Sequence, residues 1–296
     1  MSAPPDAELT IVGPRRDVIT HVREVVSYRE LISSLIRKEL KVRYKQSALG
    51  LLWSMIQPLF LLAIYSLVFS VLYRAGGIPR LGIWILSGLL AWQFVATAVS
   101  TATIAITSNG PLVGKVRFPR AVLPTATTGA ALVHFALQLG VFAAVLVVLR
   151  HDVDWAYVWI VPFALLGLVL FVLPVALLLS AANVYARDTE HLLEMVVMGW
   201  FWLTPVVYPF GLAERFLDEH GIPTWIVLLN PVTSAVMVLQ RAFYGASSQG
   251  ATRLLPDTGP LWYLRNIGVL TVVSLVMLTV ALRVFDRAEA DMAEAL

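Results

Sequence analysis

Long stretches without charged side chains constrain this chain more than any other feature of its sequence. A helix needs about 20 apolar residues to cross roughly 30 Å of hydrocarbon, and it must make every backbone hydrogen bond internally. A hydrophobic fraction of 58% with only 14% charged residues agrees with an integral membrane protein. Four stretches contain no Asp, Glu, Lys or Arg and predict membrane spans, at residues 51–73, 81–106, 121–149 and 155–186.

Two shorter apolar stretches complete the predicted set of spans. Residues 195–213 contain two prolines near one end, and residues 266–282 lie between Arg265 and Arg283. Six spans of these lengths occupy about half of the chain, which leaves no room for a separate globular domain of ordinary size. We therefore predict an all-α polytopic membrane protein with six transmembrane helices.

The amino-terminal segment, residues 1–50, has a different character from the six-span domain at 51–296. It has no early apolar core followed by a small-residue cleavage site, so we do not expect a cleavable signal peptide. Residues 24–45 instead predict an amphipathic helix in the plane of the membrane interface, with its apolar side in lipid. Its apolar stripe contains Val25, Tyr28, Ile32, Leu35 and Val42, and its basic residues are Arg29, Arg37, Lys38, Lys41 and Lys45.

Basic residues near the ends of the predicted spans set the expected orientation. With six spans, basic residues are more numerous on the side of the amino terminus. This places both termini on the cytoplasmic side of a bacterial plasma membrane. Residues 225–245 are apolar enough for a seventh span, and counting them as one leaves this balance unchanged. Asn230, Pro231 and Arg241 interrupt the stretch, and an arginine deep in a bilayer is costly. We therefore expect a re-entrant or interfacial hairpin on the outer side.

The chain lacks the motifs of an enzyme or of an ATPase. The string GPLVGKV at 110–116 is one residue too short for a P-loop and lacks the Ser or Thr that would hold magnesium. Cysteine is absent and the five histidines are scattered, so we expect no metal site. A membrane enzyme such as a lipid-linked glycosyl transferase stays open as a hypothesis. Its only outward carboxylate pair is Asp152 with Asp154, which also suits an ordinary turn.

Two short inward loops have the composition of contact sites. Residues 109–124 are basic and bounded by prolines, with Phe118 as an apolar tip between Arg117 and Arg120. Residues 187–190, RDTE, carry acidic side chains where the first turn of a helix favours them. Such loops can transmit force from a partner protein, and they can equally be solvated turns.

Aromatic side chains are concentrated in the predicted first and fifth spans. Tyr65 and Phe69 are one helical turn apart, and Trp200 and Trp202 lie in the fifth span. Flat apolar rings with polar rims suit the binding of sugars. The alternative is contact with lipid in the aromatic belt of the membrane interface.

The chain resembles the transmembrane subunit of type-2 ABC exporters for polysaccharides, which move lipid-linked O-antigen, teichoic acid or cell-wall galactan. Four regions carry the resemblance in the order of the family, and together they cover most of the chain. They are RELISSLIRKELKVRYKQSALGLLWSMIQPL at 29–59, KVRFPRAVLP at 115–124, ANVYARDTEHLLEMV at 182–196, and TPVVYP at 204–209 with LNPV at 229–232.

This resemblance implies an interface helix, six spans with both termini cytoplasmic, and re-entrant gate helices after the fifth span. It also implies a homodimer that joins two copies of a separate ATPase subunit, which would bind the ATP and magnesium. No cofactor is expected on this chain itself. Its partners would be membrane lipid and a polyprenyl-linked glycan, and no nucleic acid.

The resemblance also assigns roles to individual residues. The loops that dock the ATPase would contain Lys115, Arg117, Phe118, Pro119, Arg120, Arg187, Asp188 and Glu190. The lipid pyrophosphate would be received near Arg37, Lys41, Arg43 and Tyr44. The glycan channel would be lined by Tyr65, Phe69, Trp200 and Trp202.

Two alternatives concern the substrate. A related type-2 permease could export a drug or a lipid, and the interface helix with the aromatic lining favours a glycan instead. The composition also bears on which glycan is exported. Arginine strongly outnumbers lysine in the chain, which suggests an actinobacterial host and hence a cell-wall galactan.

Overall fold

Helices make up nearly all of the part of the chain that the computed structural model describes. That part comprises residues 18–44, 56, 59–60, 63–64, 67, 80–116, 118–245, 248–249 and 252–295. Most of the predicted first span, including Tyr65 and Phe69, lies outside these residues, and so does Arg117.

The α-helices of the described residues are α1 (Val18–Ser27), α2 (Arg29–Tyr44), α3 (Leu81–Thr103), α4 (Gly110–Val113), α5 (Val122–Val148), α6 (Trp155–Val158), α7 (Val161–Tyr185), α8 (Thr189–Leu203), α9 (Phe210–Glu219), α10 (Pro231–Tyr244) and α11 (Pro260–Ala295). Short 3-10 helices occupy Thr107–Asn109 and Thr224–Leu229. Two short antiparallel strands, β1 (Ser248–Gln249) and β2 (Thr252–Arg253), pair Ser248 with Arg253 and Gln249 with Thr252.

Four helical stretches in the described part are long and apolar enough to cross a bilayer, and they agree with the second, third, fourth and sixth predicted spans. The fourth predicted span is divided between α6 and α7, where Pro162 in the first turn of α7 suits a helix start. The four stretches are Leu81–Thr103, Val122–Val148, Trp155–Tyr185 and Pro260–Glu289.

The fifth predicted span, 195–213, is not one continuous helix in the structure. Helix α8 begins earlier, at Thr189, and ends at Leu203 after 15 residues. Pro205 cannot donate a helical hydrogen bond and disfavours helical geometry in the residue before it. The chain turns through 204–209, and α9 begins after Pro209. At 1.5 Å per residue α8 is about 22 Å long, which is shorter than the hydrocarbon layer.

The predicted bounds of the sixth span are also too narrow. Helix α11 runs for 36 residues without interruption, beyond Arg265 on one side and Arg283 on the other. Charged residues limit the apolar length of a span, but arginine and glutamate have high helix propensity. The helix can therefore continue past them. The helix therefore projects beyond the bilayer-sized stretch at its carboxyl end.

The predicted interface helix is two helices that meet at Tyr28. The first, α1, contacts α11, while α2 packs along α5. A Cβ at Gly129 of α5 would lie only 2.7 Å from Cδ1 of Ile36, so the absence of a side chain permits this approach. The apolar side of α2 therefore faces protein along this contact, and not lipid alone as the sequence predicts.

The core is centred on α3, whose side chains are buried from Ile83 through most of the helix. Helix α10 packs against α3 and α7 and is buried over most of its 14 residues. Its amino end follows the interrupting Asn230, which accepts a hydrogen bond from the backbone N–H of Val232 at 3.2 Å. A helix of this length is about 21 Å long, too short to cross the bilayer.

Candidate functional site

One end of the helical bundle, which we call the terminal end, joins segments that are distant in sequence. It comprises α1, the loop at 104–121, the turn at 185–189 and the last turns of α11. These segments share a small core, the terminal-end cluster, which is separate from the main core. Its buried members are Ala105, Ile106, Ala121, Leu123, Leu177, Ala181, Val184, Ala281, Leu282, Phe285 and Met292.

The first loop presents a different apolar side chain from the one expected. Phe118 is half-buried and packs against the terminal-end cluster, and Pro119 beside it is buried. The exposed apolar residue is Val116, which retains 50% of its accessible surface next to the exposed Lys115. Phe118 is therefore not the exposed tip, because burial of its large ring is favourable wherever a core is within reach.

Arg120 of the same loop is held by the carboxyl end of α11. Its backbone N–H donates to Oε1 of Glu289 at 2.6 Å, and its Nη1 donates to the carbonyl oxygen of Glu289 at 2.6 Å. Two bonds between the same pair of residues fix both position and orientation. The first loop is thus attached to the end of the last helix, 169 positions away in sequence.

The second loop places its charged residues at the start of α8. Arg187 and Asp188 are exposed and Glu190 is half-buried in the first turn, where a negative charge favours the helix dipole. Thr189 donates from Oγ1 to the carbonyl of Ala186 at 2.7 Å. The exposed surfaces of the two loops therefore differ. The second loop exposes the charged Arg187 and Asp188, whereas the first loop exposes the apolar Val116 beside Lys115.

A groove of about 330 Å³ lies between α1, the first loop and α11. It has a mixed lining, with carboxylates, a guanidinium and a phenol beside apolar side chains. Its walls are Glu24 and Tyr28, then Val113, Val116, Phe118, Pro119 and Arg120, and then Glu289. Phe118 thus lines a recess between three elements.

Helix α2 carries exposed cations beside this assembly. Arg37 and Lys41 are exposed, and Lys38 donates from Nζ to Oδ1 of Asn109 in the first loop at 3.2 Å. A surface hollow of about 460 Å³ is lined by Arg29, Glu30, Ser33, Ser34 and Arg37. Guanidinium groups next to hydroxyls suit phosphate oxygens. The side chains of Arg43 and Tyr44 lie outside the described part.

The two tryptophans of α8 have different surroundings. Trp200 is half-buried, meets Trp92 edge-on at 5.7 Å between ring centroids, and donates from Nε1 to Oδ1 of Asn230 at 2.9 Å. Trp202 is 57% exposed. Of the four aromatic residues predicted to line a channel, Trp202 is thus the one with an open ring face in the described part of the chain.

One member of the carboxylate pair in the enzyme hypothesis, Asp154, has a structural role at the opposite end of the bundle. Asp154 caps α6 by accepting from the N–H of Ala156 at 3.1 Å, and its Oδ2 lies 3.1 Å from Nη1 of Arg241. Arg241 also lies 4.2 Å above the ring of Tyr157. Among the described residues, no group of three or more His, Asp or Glu side chains could hold a metal ion.

Sequence reasoning did not find the residues of α11 that organise the terminal end. Asp286, Ala288 and Glu289 follow the last apolar stretch and resemble an ordinary charged tail in the sequence. The available signal was the continuation of helix-forming residues past Arg283. Pairing of such residues with loops far away in sequence leaves no local pattern.

Comparison with known proteins gives consistent matches over nearly the whole chain. Residues 30–244 match the family described as ABC-2 type transporter. An O-antigen export system permease protein RfbA of Myxococcus xanthus is 32% identical over 279 residues, which are 94% of this chain and 100% of that protein. Two proteins of the same name from Klebsiella pneumoniae are 28% and 27% identical over 267 residues, which are 90% of this chain and 95% of theirs.

Proposed function

We propose that this chain, which belongs to the ABC-2 type transporter family, is the membrane subunit of an ATP-driven exporter of a lipid-linked polysaccharide. The observation that carries the proposal is the end-to-end match with an O-antigen export permease of Myxococcus xanthus. The match covers the whole length of that relative and 94% of this chain. We therefore transfer the role of the whole subunit and not only that of a shared domain.

The energy for transport comes from a partner. Members of this family are transport subunits, and ATP is hydrolysed by a separate ATPase subunit. The absence of a P-loop in the sequence agrees with this division of labour. ATP and magnesium would accordingly bind to the partner.

The topology that we propose has six spans, with the terminal end in the cytoplasm. Helices α9 and α10 would then form the re-entrant gate on the outer side. The burial of α10 supports a re-entrant position, because a short helix inside a membrane must be covered by protein at its ends.

The chain would act as a homodimer. Helix α8 supports this, because within the described part of the chain it contacts α3 and α7 and leaves large apolar side chains exposed over much of its surface. Those side chains are Leu192, Met195, Val196, Met198, Trp202 and Leu203. A second copy placed against α8 would cover them and enclose a path between the two chains, and Trp202 would line that path.

The substrate would be received at the hollow on α2. Its two arginines and two serines offer the donors that a lipid pyrophosphate needs, and Lys41 extends the basic surface by one turn. The lipid tail would stay in the bilayer while the glycan passes along the dimer interface. A cell-wall galactan is the glycan that the composition favours.

Reconstitution of the chain with its ATPase partner tests the proposal. Proteoliposomes that contain both subunits should move polyprenyl-pyrophosphate-linked glycan across the bilayer when ATP is supplied. A Walker-motif variant of the ATPase serves as the matched control and should move none. Transport of a drug or of a glycan-free lipid, but not of the glycan, would instead identify the alternative type-2 exporter. Transport of galactan over other linked glycans would name the substrate.

Substitution of Val116 by aspartate tests the docking of the ATPase on the first loop. Val116 is the exposed apolar residue of this loop, so a charge there should disfavour a protein interface while the fold is kept. We expect recovery of the ATPase with the tagged permease to fall about tenfold, a loss of about 1.4 kcal/mol. Val148→Asp, at the opposite end of α5, is the control. Undiminished recovery with Val116→Asp would place the docking surface elsewhere.

A further inference from the structure

We infer that the last turns of α11, residues 285–292, form a strut that joins α1 and both loops of the terminal end into one body. Two hydrogen-bonded connections, a close contact between His21 and Asp286, and a shared apolar core converge on these residues. The inference rests on the proposed function, because it concerns how the ATPase-docking loops transmit motion. Glu289 of the strut and Tyr185 of α7, which bonds to it, are the positioning residues.

The first connection fixes the residue two positions before α5. The N–H groups of Val122 and Leu123 at the start of α5 already donate to the carbonyls of Pro119 and Arg120. The carboxylate of Glu289 accepts the N–H of Arg120, and its negative charge lies near the positive end of the α5 dipole. The guanidinium of Arg120 then bonds back to the carbonyl of Glu289. A loop held by a distant helix keeps its position only while that helix stays in place.

The second connection is one residue away. The hydroxyl of Tyr185, in the last turn of α7, donates to the carbonyl of Ala288 at 2.6 Å. Tyr185 precedes Arg187 and Asp188 of the second loop by two and three positions. Both loops are therefore attached to α11 at consecutive residues, although they are far apart in sequence.

The third connection reaches the amino-terminal helix. The Nδ1 atom of His21 in α1 contacts Oδ1 of Asp286, and His21 is fully buried by this packing. Phe285 and Met292 are buried in the terminal-end cluster, with Val25 of α1 and Phe118 of the first loop packed against it. Polar connections and apolar packing thus join the same segments.

Helix α11 is continuous, so a movement at the strut is transmitted along the whole helix. Helix α11 has no break between Pro260 and Ala295, and α7 is the helix that it packs against most extensively. A displacement of either loop must therefore move the end of α11 and, along it, the neighbouring span. Loops that act as independent levers would not need these connections.

The absence of cysteine from the chain permits a direct test with one pair of introduced thiols. Arg120→Cys with Glu289→Cys removes the first connection and allows a disulfide to replace it. In the reconstituted complex, the reduced double variant should export about tenfold less glycan per ATP hydrolysed, as expected for loss of a charge-assisted bond. Oxidation should restore this ratio, because the disulfide joins the loop to the strut again. The single variant Glu289→Cys should gain nothing from oxidation.

Several outcomes would overturn the strut. They are a reduced double variant that couples like the parent, and a disulfide that forms but leaves the ratio unchanged or lowers it. A comparison of Glu289→Gln with Glu289→Ala gives a second measurement of glycan export per ATP hydrolysed. Glutamine keeps an oxygen that can accept from Arg120, so it should retain more coupling than alanine. Equal losses in the two variants would contradict the role of the hydrogen bond between Glu289 and Arg120.

Co-purification separates failure of the strut from failure of the proposed function. If no ATPase accompanies the parent chain, the proposed function fails before the strut is tested. If the complex assembles, hydrolyses ATP and moves glycan in every variant with an unchanged ratio, the strut alone fails.

Discussion

Replacement of Gly211 by alanine is expected to destabilise the chain strongly, although it adds only one methyl group. A Cβ at Gly211 would lie 2.5 Å from the backbone oxygen of Arg253 and 2.9 Å from its Cβ. Backbone atoms cannot rotate away as the end of a side chain can, so α9 or β2 must shift. Overpacking of this kind lowers the free energy of unfolding by about 1–3 kcal/mol.

The shift would break other contacts at the same place. The N–H of Phe210 donates to the carbonyl of Leu254 at 2.8 Å, and Arg253 is paired with Glu214 at 2.9 Å. Leu254 is fully buried behind them. Because these contacts join α9 to β2 and to Leu254 directly after it, separation of the two segments would loosen the packing around α9. We therefore expect an effect on export as well as on stability.

Gly140→Ala is the matched control. Nothing lies within 4 Å of a Cβ at Gly140 in α5, and alanine is favoured over glycine in a helix by up to about 1 kcal/mol. The same substitution should thus have opposite signs at the two positions. The unfolding temperature of the purified protein in detergent measures this, with a shift of about 2–4 °C per kcal/mol for a chain of this size. An unchanged unfolding temperature for Gly211→Ala would contradict the close approach.

The apolar spans could be predicted because their signal is local. Each long run without charge must cross the membrane or be buried, and only a helix satisfies its backbone there. The bounds of the second and third spans agree with the structure within a few residues. Pro205 and Pro209 mark a break in the fifth span that the apolar run hides, since hydropathy takes no account of a missing N–H donor.

The terminal end could not be predicted because its contacts are long-range. The sequence places two loops between helices, as the structure does, but nothing near Arg120 in sequence indicates that Glu289 bonds to it. The burial of Phe118 could not be predicted for the same reason. An apolar residue between two arginines suits an exposed loop tip, and only the tertiary fold shows that a core lies beside it. In each case the partner is supplied by the tertiary fold.

Trp200 illustrates the same limit within an aromatic cluster. A tryptophan in a membrane helix can face lipid, a sugar or the protein, and the sequence does not distinguish these surroundings. The structure gives Trp200 a polar partner in Asn230 and an aromatic neighbour in Trp92. Its role in a glycan channel therefore stays a prediction, and it can be separated from a structural role by experiment.

Asn230→Ala is expected to give the second large effect, because one side chain serves several partners, of which three are close. Its Oδ1 accepts from the indole of Trp200 at 2.9 Å and from the N–H of Val232 at 3.2 Å, and its Nδ2 donates to Oγ1 of Thr204 at 2.8 Å. These bonds join the end of α8 to the start of α10. Loss of the helix cap together with the other two bonds should cost about 2–3 kcal/mol. The unfolding temperature in detergent should fall by several degrees, and Asn230→Asp, which keeps the acceptor oxygens, should fall less.

Trp200→Phe distinguishes the structural role of this tryptophan from a role in the channel. Phenylalanine keeps an aromatic face for a sugar and for Trp92 but removes the N–H that bonds to Asn230. If Trp200 acts through Asn230, adding Trp200→Phe to Asn230→Ala should change stability and export little further, because their common bond is already lost. If Trp200 acts mainly through its ring, Trp200→Phe alone should export normally and Trp200→Ala should not. Fully additive losses in the double variant would show that the two residues act independently, and the junction between α8 and α10 would then not depend on their bond.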